Sequence, residues 1–124
     1  MSSPAASVEA DAALLRDVVR RILTVKHPQA ILLFGSHARG DAHGGSDLDL
    51  LIIEHDNPLP RHRRAVAYRM ALFGIDRDLD IVVYTPREID EWANVPNAFI
   101  TTVMRQGRVL YHENDSRPGE RLAG

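Results

Sequence analysis

The chain has 124 residues, a formal net charge of -2 and no cysteine. That length suits one domain and leaves no room for a separate substrate-binding domain. The charge argues against a protein built to coat a long nucleic-acid duplex. The lack of cysteine excludes both a disulfide framework and a thiolate zinc site.

The N-terminus lacks a basic stretch followed by an apolar core, and no apolar run approaches a membrane span. The expected setting is therefore the cytoplasm, with no membrane contact. Residues 1–6, MSSPAA, are small and polar and are expected to be flexible. Ser7 is placed to cap a helix running to about Lys26, with Leu14, Leu15, Val18, Val19, Ile22 and Leu23 as its apolar stripe. His27-Pro28 ends it, because the residue before a proline is pushed out of the α region.

Ala30 to Phe34 is a short apolar run, read as a buried strand, and Gly35 breaks it. A glycine-rich loop follows, then a second strand from Ser46 to Ile53. Asn57-Pro58-Leu59-Pro60 breaks the chain again. Arg61 to Phe73 reads as a helix that stops at Gly74. Asp78 to Tyr84 is a third strand. Thr85-Pro86-Arg87-Glu88 has the form of a capping box and opens a short helix through Trp92. Asn97 can cap another helix ending at Gly107, and Arg108 to Tyr111 offers a last edge strand.

Helices alternating with apolar strands predict a single α/β (α+β) domain with a mixed sheet of three or four strands. The domain should span residues 7–112, followed by a polar tail over 113–124. A short loop makes the first two strands antiparallel. The longer helical crossover lets the second and third run parallel.

The chemistry centres on Asp47 and Asp49. Two residues apart at a strand start, they leave the same face, with Cα atoms about 7 Å apart. Carboxylates so placed can converge on a pair of metal ions. Upstream, Gly35 lets the backbone approach a ligand closely, and the Ser36 hydroxyl with nearby amides can hold phosphate oxygens. Arg39 lies in the same loop and can bind phosphate bidentately. A third acid should come from a neighbouring strand, where Asp78 and Asp80 share a face. Asp80 is favoured, because it lies among Leu79, Ile81 and Val82, where an unpaired carboxylate is costly.

The run GSHARGDAHGGSDLDLLII resembles the signature of the DNA polymerase β-like nucleotidyltransferase superfamily, in which Gly-Ser and ten further residues precede Asp-x-Asp. LDIVV resembles the strand of that family's third acid, and the chain's size resembles the minimal, MNT-type branch, whose members are often antitoxins of HEPN-domain toxins. The resemblance implies transfer of AMP from ATP to a hydroxyl of such a toxin. It further implies two Mg²⁺ ions, or Mn²⁺, held by Asp47, Asp49 and Asp80, with Gly35, Ser36 and Arg39 at the nucleotide. A small-molecule acceptor such as an aminoglycoside, or inhibition of the partner by simple occlusion, are the alternatives. The oligomeric state is open, with a homo-oligomer among the options.

The remaining features read more blandly. His37, His43, His55 and His62 are scattered through loops and a helix start without zinc-site spacing. The RHRR run at residues 61–64 is read as a solvated face, with contact to an acidic partner or nucleic acid as the alternative. Trp92, Phe99 and Ile100 are assigned to core or partner interface.

Overall fold

The computed structural model describes residues 4–35, 47–96 and 98–114, with side chains from residue 12 onward. Helix α1 spans Pro4–Val25 and is followed by strands β1 (Ala30–Phe34) and β2 (Leu48–Ile53). Two short helices, α2 (Arg61–Arg64) and α3 (Val66–Ala71), lead to β3 (Leu79–Tyr84). Helix α4 (Pro86–Trp92), helix α5 (Phe99–Gln106) and strand β4 (Arg108–His112) complete the order. The strands form one sheet in the order β3-β2-β1-β4. β1 runs antiparallel to both β2 and β4, and β2 runs parallel to β3, so the sheet is mixed as the loop lengths imply.

Pleating sorts the strand residues into two faces. One face buries Leu33–Leu50–Ile81 and Ile31–Ile52–Val83 as rungs across β1, β2 and β3, against Leu15, Val18, Val19 and Ile22 of α1 and Tyr68 and Leu72 of the crossover. The other face carries Leu32–Leu51–Val82 and Ala30–Ile53–Tyr84, covered by Ile100 and Val103 of α5 and Ile89 of α4. This second layer is smaller, and the carboxylates lie on its face.

Several boundaries differ from the sequence reading for local reasons. α1 begins at Pro4 rather than after Ser7, since proline suits the first turn and Ala5-Ala6 favour helix. The predicted helix over 61–73 is interrupted at Ala65, which serves as end of α2 and start of α3. Gly74 follows with φ +91, a left-handed conformation that glycine adopts without penalty. The residue preceding α5 in the cap position is Ala98, while the Asn97 proposed for that role lies outside the described residues. The capping box forms as read. Thr85 Oγ1 accepts from the Glu88 amide, and the Glu88 carboxylate accepts from the Thr85 amide.

The RHRR run splits. Arg61, His62 and Arg63 are exposed, but Arg64 is buried. Its guanidinium donates to both oxygens of Glu88, at 2.6 and 3.1 Å, and to the carbonyls of Leu59, Val83 and Asn57. This fork joins the crossover to the cap of α4. A second polar knot closes the far end of β2. There the buried Glu54 accepts from the Tyr68 hydroxyl and from Asn57 Nδ2 at 2.5 Å, with Lys26 Nζ 3.4 Å away.

Candidate active site at the open end of the sheet

The acid-bearing end of the sheet is where β1 finishes and β2 and β3 begin. Phe34 is the register partner of Asp49, and Asp49 is the register partner of Asp80. The three side chains therefore form one rung across adjacent strands on one face. The next rung inward, Leu32–Leu51–Val82, is an apolar floor. Two carboxylates on adjacent strands repel each other, and a cation between them would offset that repulsion.

Gly35 follows Phe34 with φ +74, a region that disfavours any side chain. A Cβ there would lie 3.3 Å from Cγ of Asp49 and closer still to Oδ2. The backbone thus turns directly against the Asp49 carboxylate. Asp49 is half-buried, whereas Asp47 lies exposed just before β2. Ser36 and Arg39 lie outside the described residues.

Asp80 is exposed rather than deep. Its apolar sequence neighbours Leu79 and Ile81 belong to the opposite face, so adjacency in sequence gave a false depth. What marks Asp80 out is register. Asp78 precedes the strand, is exposed, and uses its carbonyl to accept from the Leu48 amide at 2.9 Å. Among the described residues no three His, Asp or Glu side chains are gathered into a ready-made cation cage. The donor set is nonetheless hard carboxylate oxygen, which matches Mg²⁺ or Mn²⁺ rather than a softer metal.

Phe34 also meets Phe99 of α5 edge to face, with ring centroids 5.4 Å apart. Phe99 is exposed and Ile100 beside it is core, so this pair of residues divides between surface and interior. Sequence reasoning missed this aromatic neighbour of the acids, because only the register of β1 on β2 places it there. A cavity of about 280 Å³ lies on the same face, lined by Ala30, Ile53, Ile89, Met104 and His112 among others. None of the three candidate acids lines it.

Comparison with known proteins bears on the family and the fold. The family model described as polymerase beta, nucleotidyltransferase matches residues 18–116. No curated protein matches the chain. Among solved structures, a protein provisionally described as a nucleotidyltransferase from Sulfolobus solfataricus has a TM-score of 0.63 at 18% identity, covering 93% of this chain and 95% of its own. A chain from a toxin-antitoxin crystallised with AMP-PNP has a TM-score of 0.57 at 19% identity, covering 88% of this chain and 84% of its own. At these identities the likeness is one of fold.

Proposed function

The chain belongs to the polymerase β nucleotidyltransferase family, and from that premise we propose that it transfers a nucleoside monophosphate from an NTP to a hydroxyl of a partner protein. In this reading the NTP is ATP and the partner is a HEPN-domain toxin, so the chain is an antitoxin that adenylylates its target in the cytoplasm. The observation that carries the reading is the rung Phe34–Asp49–Asp80, abutted by Gly35. The fold neighbour from a toxin-antitoxin with AMP-PNP supports the nucleotide and the class of partner.

Asp47, Asp49 and Asp80 would hold the divalent cations. When bound, these ions neutralise the triphosphate and lower the pKa of the acceptor hydroxyl. Gly35 gives the backbone its close approach to phosphate, and the Ser36 hydroxyl and Arg39 guanidinium bind phosphate oxygens. The acceptor oxygen forms a bond to the α-phosphorus as the bond to the leaving oxygen breaks, and pyrophosphate departs with that electron pair. Asp80 takes the hydroxyl proton, and its exposure lets that proton pass on to water.

The direct test is ATP labelled at the α-phosphate, Mg²⁺ and a purified HEPN-domain protein. Label should move to the partner with the wild type and not with Asp49→Asn. A wild type that transfers nothing, or an Asp49→Asn that still transfers, overturns the reading.

A further inference from the structure

The crossover between β2 and β3 turns an apolar stripe outward. Val66, Met70 and Phe73 are 54%, 73% and 86% exposed. Their spacing puts them on one side of α3 and the turn that follows it. The Phe73 backbone is tied down. Its carbonyl accepts from Arg21 Nη1 at 3.0 Å, and its neighbour Leu72 is buried in the core. A large apolar side chain on a fixed backbone can be covered without a further cost of ordering the chain, which suits an interface anchor.

The charge around the stripe is one-sided. Residues 61–75 contain Arg61, His62, Arg63, Arg64 and Arg69 and no Asp or Glu. Arg64 is engaged with Glu88 and Arg61 lies over the Tyr84 ring, but His62, Arg63 and Arg69 are exposed. Asp17 of the neighbouring α1 is paired with Arg20 and Arg21. The first acid beyond the turn is the exposed Asp76.

We propose that this stripe docks an amphipathic helix of another protein, one that carries acidic residues beside an apolar face. Exposed Met and Phe at the centre, with cations at the border, fit a protein helix better than a phosphate backbone, which calls for cations at the centre. A second copy of the chain is a poorer fit. Its own acidic and apolar patch, Asp90 and Glu91 beside Trp92, is a different surface, so pairing the two would be head-to-tail and would not close on a two-fold axis. The surface goes beyond nucleotidyl transfer and is testable without it.

The probe is a fluorescent amphipathic peptide of about 18 residues, five helical turns of Leu, Ala and Glu, with a Lys-for-Glu counterpart as control. Anisotropy titrations are run on the wild type and on Asp49→Asn, which separates docking from catalysis. The acidic peptide should bind both proteins, and the basic peptide should bind at least about tenfold more weakly. Phe73→Ser and Met70→Ser, checked for folding by circular dichroism, should each weaken binding about tenfold or more. Arg63→Glu with Arg69→Glu should reverse the preference between peptides. Equal binding of both peptides, or binding unchanged in the Phe73 and Met70 variants, overturns the proposal. So does concentration-dependent self-association that Phe73→Ser abolishes, or RNA binding that outcompetes the acidic peptide.

Discussion

Gly35 and the carboxylate of Asp49 compete for the same space, since any side chain at residue 35 would start within hard contact of Oδ2, with Cγ 3.3 Å away. Gly35→Ala should therefore lower activity and stability together. The left-handed backbone alone costs about 1–2 kcal/mol for a residue with a Cβ, and the clash adds to it. Adding Asp49→Ala to Gly35→Ala should recover the clash and leave the backbone strain. Melting temperatures of the two single variants and the double should thus be non-additive. Additive losses would mean that the carboxylate moves aside freely.

Asp80→Asn should stop transfer, while Asp78→Ala keeps most of it, because only Asp80 shares a rung with Asp49. Neither change should cost much stability, since both residues are exposed. Initial rates at saturating Mg²⁺, with melts as the folding control, decide between them. An inactive Asp78→Ala beside an active Asp80→Asn would give the third-acid role to Asp78.

The Arg64–Glu88 fork predicts a limb of acid sensitivity. Hydrogen bonds from Arg64 are the main cause that holds the Glu88 carboxyl at about 2, below its ordinary 4.5. A carboxyl lowered on folding contributes stability that is fully present above about 4.5 and is lost as pH falls towards 2. With Glu88 a quarter exposed (25%), the contribution is roughly 2–3 kcal/mol. Glu88→Gln should flatten that limb in urea midpoints measured between those pH values. Arg64→Ala should cost more, about 3–5 kcal/mol, because it leaves a partly buried carboxylate without its cation.

Tyr68→Phe should destabilise by about 1–3 kcal/mol, since Glu54 is buried and loses a hydrogen-bond donor. Burial, and then Glu54, push the Tyr68 phenol above its ordinary 10.0. The unfolded phenol ionises first, so stability should fall as pH rises past about 10. Chemical melts at alkaline pH should show that decline in the wild type and a shallower one in Tyr68→Phe.

Much of this was legible in residue order. The three apolar runs became β1, β2 and β3, and Thr85 and Glu88 formed the box their spacing implied. Gly35 takes the left-handed turn that a glycine after a strand allows. What a linear sequence hides is which strand position faces which. Leu79 and Ile81 made Asp80 look deep, yet they occupy the other face, and only the register of β2 on β3 brings Asp80 to Asp49. Arg64 was indistinguishable from its solvated neighbours until the helix broke at Ala65 and turned it onto Glu88. The Phe34–Phe99 contact joins a strand to a helix far along the chain, so no local pattern could announce it.

The strand order also bears on how the molecule comes into being on the ribosome. Every residue of the rung Phe34–Asp49–Asp80 belongs to the first two-thirds of the chain, whereas β4 must return from near the C-terminal end to pair with β1. Pairing between such remote segments carries the larger loop-closure cost and the slower rate. The carboxylate end can therefore be drawn together before β4 reaches β1. In that interval the β4 side of β1 is an open edge, where a second nascent chain could add a strand. A cell that makes this protein in bulk should lose more of it to aggregation during synthesis than a refolding experiment on the finished chain would suggest.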